Sequence, residues 1–376
     1  MARILWVSTE LPDRQGQGGQ RRQFHQIRAL ARRGHDITVV VPASDQRGES
    51  LAEFAEVQRP QLTFLGRIVR RRVLRLRRAL LGTPADVVVV SHVEAWWLLP
   101  TSGTLGTPVL VDVHNVLSHW HLSNGRHDEG DETRAAEALA LREAAGVMTC
   151  SATETARLQA AHPTEAAKIF AAPLGVDPEE WPPKEFSRAE PVVALFGSWS
   201  WEPNELGLRW FLDSVWPLVR AGVPNARALV AGSGVEDAAQ WPSGAEFVGR
   251  VEDLAAFTAR ATVVAVPVLR GVGASVKFAE SLASGASVVA TADGANGLAD
   301  PPAYVTDRAD EWATWIIERL ERRADEPAPA PARAVALNDY TWDSAAVPID
   351  DWIAEHTRAR ATPTVAPSDP ESKGPA

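Results

Sequence analysis

The sequence predicts an α/β protein of two Rossmann-like, doubly wound domains facing each other across a cleft. Three observations predict it. Short unbroken runs of valine and isoleucine recur between helical segments, the pattern of parallel strands buried on both faces. Two such series occur, with a proline- and acid-rich stretch between them at 173–190. The length of 376 residues exceeds one ordinary core and suits two domains of roughly 150–180 residues each.

The first series opens with a strand at 3–8, followed by a polar loop from Asp13 to Gln20 that carries Gly16, Gly18 and Gly19. A helix then places Phe24, Ile27, Ala29, Leu30 and Ala31 on its apolar side and stops at Gly34, a natural C-terminal cap. The next strand is Asp36 to Val41, and further strands are expected at 86–90, 108–113 and 146–150. The stretch Pro173 to Pro183 has the composition of a linker. The second series has strands at 191–196, 226–231, 245–248, 262–266 and 287–290. Alternating alanine, proline and acid from Ala324 to Pro331 reads as an extended spacer. A final helix is expected from about Trp342 to Thr357, and the tail beyond it has no periodicity and reads as disordered. The resulting division is 1–178, 190–335, a C-terminal helix at 336–358 and a tail at 359–376.

Composition narrows the function. Apolar content of 45% with 23% charged residues is ordinary globular material. The net charge of -10 disfavours nucleic acid as the main partner, because a phosphate backbone is repelled overall. The lone Cys150 excludes an internal disulfide and fits a reducing cytoplasm; ending an apolar run, it reads as a core residue rather than a nucleophile. The opening residues read as a strand, so a secretion signal is not expected, and no apolar run reaches the ~18–20 residues a bilayer requires. A cytoplasmic protein, at most peripheral at the inner face of the membrane, is expected.

Ligands of doubly wound sheets sit beyond the carboxyl ends of the strands, and the most informative such loop lies within Val266 to Gly285. A strand ends at Pro267, a loop carrying Gly271 and Gly273 follows, and a helix opens near Ala274 to Val276. Free amides at that helix start suit a diphosphate, and the two glycines permit close approach to the backbone. Lys277, one of four lysines in an arginine-rich chain, can neutralise a phosphate. Glu280 follows three residues later on the same face, and its carboxylate is an acceptor suited to a pair of ribose hydroxyls. The alternative is a strand–loop–helix with a solvated Lys–Glu pair and no ligand; spacing alone does not separate the two.

The string Gly273-x-Ser275-x-Lys277-x-x-Glu280 with Gly285 and Ser287-Val288-Val289-Ala290-Thr291 resembles the nucleotide-binding segment of GT-B-fold retaining glycosyltransferases of family 4. Other segments are similar in order: Gly18-Gly19-Gln20-Arg21 with Arg28 to Val40, Val111-Asp112-Val113-His114-Asn115, and Met148 to Glu154. So are Pro173-Leu174-Gly175-Val176-Asp177, with leucine where the family has asparagine, Phe196 to Asn204, and Phe247-Val248-Gly249-Arg250-Val251. The likeness spans about 1–350.

The resemblance implies a GT-B architecture, with the C-terminal helix crossing back to the N-terminal domain, and sugar transfer from a UDP-, GDP- or dTDP-sugar with retention of configuration. It implies that Glu280 binds the ribose and that the amides around Gly273, Ala274, Ser275 and Val276 hold the diphosphate. Arg250 and Val251 would contact the base, and Ser198 belongs to the same donor site. The Gly18, Gly19 and Gln20 loop would close over the phosphates. His114 would bond to a donor sugar hydroxyl. Asp112, Asn115, Trp199, Trp201 and Asn204 are further candidates for sugar or acceptor contacts. No tightly bound cofactor is implied. The acceptor, whether glycan, lipid or small natural product, is open.

Two departures stand out. Val272 occupies the position of a further family glutamate, and Ser198-Trp199-Ser200-Trp201 stands where an Arg/Lys pair often serves the diphosphate. Lys277 is then the first choice of phosphate cation and Arg250 the second. They keep open a catalytically silent nucleotide- or glycan-binding protein; a nucleotide-sugar epimerase of the same architecture is a further rival, though the motifs offer few acid/base carboxylates. His119 and His121 lack the acid–histidine spacing of a metal site. The run Arg67 to Arg78 is strongly basic: a peripheral membrane contact is one reading, a solvated surface helix the other.

Overall fold

Both series of strands form parallel sheets in the computed structural model, which describes residues 1–42, 51–59, 82–99, 106–182, 190–235, 238–271, 273–298, 301–322 and 330–361. The N-terminal sheet contains β1 (Arg3–Ser8), β2 (Asp36–Val40), β3 (Glu56–Gln58), β4 (Val87–Ser91), β5 (Val109–Val113), β6 (Gly146–Thr149) and β7 (Ile169–Ala171), in the order β3-β2-β1-β4-β5-β6-β7. The second contains β8 (Val192–Ser198), β9 (Arg227–Ser233), β10 (Ala245–Gly249), β11 (Val263–Val266), β12 (Ser287–Ala290) and β13 (Tyr304–Val305), in the order β10-β9-β8-β11-β12-β13. Strand order reverses between β1 and β4 and between β8 and β11. Those reversals open crevices beyond the strands' carboxyl ends. The expected strands stand where the apolar runs place them. The short strands β3, β7 and β13 were not expected: Glu56-Val57-Gln58 has no apolar run, and each lies at a sheet edge.

The helices of the first half are α1 (Gly18–Arg32), α2 (Leu117–Ser123), α3 (His127–Glu143) and α4 (Ala152–Ala161). Those of the second are α5 (Glu202–Trp210), α6 (Trp216–Gly222), α7 (Leu254–Thr258), α8 (Val276–Ser284), α9 (Ala309–Glu321) and α10 (Ala330–Asp339). Each half has its own core. Trp6, Phe24, Ile27 and Leu30 pack together in one, and Phe211, Trp216, Trp312 and Ile316 in the other. Two more helices, α11 (Trp342–Ala345) and α12 (Val347–Ala361), end the described chain. The single helix expected here is broken at Ala346, because Pro348 has no amide hydrogen to return to the preceding turn.

The C-terminal helix crosses back to the N-terminal half. Ile349, Trp352 and Ile353 of α12 join the core of the first sheet, and Asp350 receives Arg33 at 3.2 Å. Helix α10 stays with the second half, its Ala332 and Ala336 packed against Phe278 and Leu282 of α8.

The stretch at 173–182 is not a free linker. Asp177 is buried and pairs with Arg28 at 2.5 Å, and Trp181 is buried among residues of the second half. Val176 bridges Thr341: its amide donates to Tyr340 O at 2.8 Å, and the Trp342 amide donates to Val176 O at 3.2 Å. Gly175 permits this approach, since a Cβ there would lie 2.4 Å from Thr341 backbone. Composition predicted a linker because proline and acid are abundant; the acids are instead neutralised by α1.

Helix α10 begins inside the stretch expected as a spacer, and α12 runs on to Ala361, into the expected tail. The basic run Arg67 to Arg78, Val272 and the rest of the tail lie outside the described residues. Among the described residues, no helix is long and apolar enough to cross a membrane.

Candidate functional site

The carboxyl ends of β1, β4, β5, β8 and β11 face a common cleft of about 630 Å³ between the halves. Two helix starts meet across it. Helix α1 begins at Gly18 and α8 at Val276, and a Cβ on Gly18 would lie 4.0 Å from Val276 Cγ2. Each start carries the positive end of a helix dipole and unsatisfied amides, so their convergence favours a ligand with concentrated negative charge.

The α8 start is more selective than the loop sequence implies. The Ala274 amide donates to Cys150 Sγ at 3.1 Å and the Ser275 amide to Asn296 O at 3.1 Å. Among the described residues the amides of Val276 and Lys277 make no such bond, so these two, not those of Ala274 and Ser275, are the ones able to donate to an anion. The glycines are also explained differently. The Gly271 amide donates to Asp293 Oδ2 at 3.0 Å, and a Cβ there would lie 2.7 Å from Val268 Cγ1. Gly273, at φ +80, leaves room for Asn115, whose Oδ1 would lie 1.9 Å from a Cβ. Gly273 thus lets the halves approach each other. Ser275 Oγ is buried with no hydrogen-bond partner among the described residues.

Lys277 points its ammonium at Asn204 Oδ1, 2.6 Å away, and over the Trp199 ring at 5.5 Å. The residue keeps some solvent contact, but its ammonium is enclosed by protein; burial pushes it down to about 7, with Glu280 pulling the other way. Asn204 is itself fixed by donation to Ser198 O at 2.8 Å. Glu280, only 2% exposed, forms an ion pair with Arg21 from α1. Burial pushes its carboxyl up, and Arg21 is the strongest charge opposing that shift.

On the N-terminal side, His114 follows β5. Its Nε2 lies 2.9 Å from both Asp112 Oδ2 and Ser91 Oγ, and its Nδ1 faces Gly19. Burial and the neighbouring His92 push its pKa down to about 4, although Asp112 opposes the shift, so the ring is neutral at pH 7. Asp112 is 0% exposed; burial opposes its ionisation, but Arg22 and His114 outweigh it and hold the carboxyl below its usual range. It therefore orients His114 from behind and is not a sugar contact.

Other expected contacts also move. Trp199 is 2% exposed, packs in the core of the second half and donates to Ala231 O at 3.0 Å, so its edge is structural. Trp201, 36% exposed, does line the cleft. Val251 packs against the second half's core and is outside the cleft lining; Arg250 lines the cleft, and its Nη2 donates to Gln15 O at 3.4 Å. Gln20 closes the α1 start, its Oε1 accepting from the Gln17 amide at 3.0 Å. Cys150 is buried, its thiol pushed up to about 12 by burial, and Sγ also donates to His114 O at 3.0 Å. It is a bridge between the halves and not a nucleophile.

Sequence reasoning missed Arg21, Arg22, Glu10 and His92. His92 follows β4 with φ 70, and its Nε2 lies 3.1 Å from Glu10 Oε1 in the cleft. No local pattern marks this pair; only the switch point between β1 and β4 brings it together. The two arginines follow the glycine pair after Gln20, a signal that was readable. Near Arg21, Asp177 and Glu180 gather beside buried His25, which burial and surrounding arginines push down to about 2. Arg14 and Arg28 pair with those carboxylates at 2.5 Å each, leaving no excess negative charge there for a cation.

Residues 16–180 match the family model Glycosyltransferase Family 4, and residues 190–322 match that of Glycosyl transferases group 1. No curated protein matches the chain. Among solved structures, the chain is similar to HepE of Anabaena in complex with UDP-glucose: 16% identity, TM-score 0.70, covering 94% of this chain and 100% of that one. It is similar to sucrose-phosphate synthase from Thermosynechococcus elongatus, at 16% identity and TM-score 0.71, covering 95% and 100%. A third likeness is the UDP-forming alpha,alpha-trehalose-phosphate synthase from Burkholderia vietnamiensis, at 13% identity and TM-score 0.61, covering 96% and 99%.

Proposed function

The chain belongs to the GT-B glycosyltransferases of family 4 and group 1, and from that premise we propose that it moves a sugar from a nucleotide-sugar donor to an acceptor hydroxyl with retention of configuration. The observation that carries the donor site is the meeting of two helix starts across the cleft, with Lys277 and Glu280 on the second helix. The diphosphate lies between the α1 and α8 starts and takes the Val276 and Lys277 amides and the Lys277 ammonium. The ribose hydroxyls donate to Glu280, and the base lies toward Arg250. The sugar then points to His114, whose neutral ring is held by Asp112 and Ser91.

In the reaction the bond from the sugar's anomeric carbon to the departing phosphate oxygen breaks, and a bond to the acceptor oxygen forms on the same face. The acceptor's proton passes to the departing phosphate. The protein's contribution is orientation and stabilisation of charge developing on the diphosphate. Neighbouring structures hold UDP-glucose and UDP, which supports a nucleotide-sugar donor here.

A thermal-shift screen against UDP, GDP, ADP, dTDP and CMP with their sugar conjugates tests the reading. A ligand at a hundred times its dissociation constant adds about 2.7 kcal/mol of stability. A raised melting temperature with one base class is the expected result. No shift with any of them would overturn the donor site.

A further inference from the structure

Glu280 has one ion-pair partner among the described residues, and that partner comes from the opposite half of the molecule. Arg21 lies on the first turns of α1, its side chain 19% exposed against 3% for Glu280. Lys277, one turn earlier on Glu280's own helix, is turned away to Asn204 at 2.6 Å. The remaining charge that faces the pair is Glu180, 3.4 Å from Arg21 and itself held by Arg14 at 2.5 Å. Without Arg21, Glu280 is a buried carboxyl beside a second carboxylate, with only the more distant Lys277 in its favour.

A ribose diol brings two O–H donors and is received best by a group that only accepts. A protonated carboxyl offers one good acceptor and one donor, which mismatches the diol. We propose that Arg21 is the positioning residue of the ribose site: its ion pair fixes the Glu280 carboxylate as a two-oxygen acceptor facing the nucleotide. The proposal rests on the donor reading above and adds a residue to it. Because α1 belongs to the first half and α8 to the second, the ribose pocket is complete only when the halves are closed on each other.

The test is calorimetric titration of the full chain with UDP and with 2′-deoxy-UDP from pH 6 to pH 8.5. Wild type, Arg21→Met, Arg21→Lys and Glu280→Gln are compared. Glu280 loses acceptor character as pH falls through its pKa, so the chains that keep Glu280 lose affinity on the acid side of that pKa, by at most about tenfold per pH unit. The UDP terminal phosphate titrates in the same range for every variant, so ratios to wild type are read. Arg21→Met should move the acid limb to higher pH, so that its deficit against wild type widens as pH falls. It should also shrink the preference for UDP over the deoxy analogue. Arg21→Lys should restore both, and Glu280→Gln should bind weakly without a Glu280 limb.

Arg21→Met that binds UDP as wild type does across the range would overturn the proposal. Tighter binding would overturn it too, making Arg21 a cap that nucleotide displaces. If Arg21→Met fails to fold, Arg21→Lys decides: a wild-type profile supports the proposal, and a lost UDP preference without any pH shift overturns it. The wild-type titration separately tests the donor reading. Failure to bind UDP, GDP or ADP overturns that reading and the proposal with it, whereas binding with unchanged variants overturns the proposal alone.

Discussion

Lys277 gives the sharpest handle on the donor site. Its ammonium is held at about 7 by burial, and its close partner is the neutral oxygen of Asn204, not a carboxylate. A bound diphosphate supplies the missing negative charge and favours the ammonium, so binding takes up a proton. The sign follows: affinity is full below pH 7 and is lost as pH rises through the free protein's pKa. At pH 7 about half of the free protein carries the charge, and at pH 8.5 about 3% does. If the bound pKa lies well above that range, affinity falls about 15-fold between those pH values, about 1.6 kcal/mol. Calorimetry with a nucleotide-sugar is the assay, because its diphosphate has no terminal ester-free oxygen titrating near pH 6 as a phosphate monoester does. Repeating it in buffers of different ionisation enthalpy counts the protons, with about half a proton taken up at pH 7. Lys277→Met should bind weakly and show no basic limb. Affinity that stays flat from pH 7 to 8.5 with no proton uptake would refute the reasoning.

His114→Ala should cut transfer by about tenfold or more, within the range of lost positioned hydrogen bonds, while nucleotide affinity stays within about twofold. Equal turnover would make the residue structural. Because the His114 ring is neutral above about pH 4, it should contribute no acid limb to the transfer rate between pH 5 and 8, as a rate profile can check. Arg22→Met leaves Asp112 buried and uncompensated and should destabilise the fold by about 3–5 kcal/mol in denaturant titration; a loss below about 1 kcal/mol would contradict the buried pair. Gly273→Ala places a Cβ 1.9 Å from Asn115 Oδ1 at a φ of +80, so the halves should separate and nucleotide affinity should fall. Unchanged scattering dimensions and affinity would show that Gly273 is not a domain contact.

The parallel sheets were legible because a strand buried on both faces leaves an unbroken apolar run, as at Val87-Val88-Val89-Val90. The edge strand Glu56-Val57-Gln58 leaves no such trace. The position of Lys277, Glu280 and His114 in the cleft was legible because each lies in a segment continuous in sequence that follows a strand end. What was not legible depends on distant segments. Asp112 was expected beside the sugar because it shares a strand face with His114, but Arg22 from the distant α1 covers its carboxylate instead. Trp199 and Trp201 are two positions apart, yet the turn after β8 places one ring in the core and the other in the cleft. The acidic stretch before Trp181 read as a linker because its partners, Arg14, Arg21 and Arg28, lie far away in sequence.

The chain passes between its halves twice, and the bridge of Val176 to Thr341 fastens those two passages together. Mechanically this is a pin. Two segments bolted side by side cannot slide past each other, so opening becomes rotation about one axis. Ala274 and Val276 pack on the same small cluster as Leu174 and Trp342. They therefore sit beside the axis, whereas Arg126 and Glu202, one from each half, pair outside that cluster. Rotation about such an axis would displace the α8 start less than any contact farther from the pin.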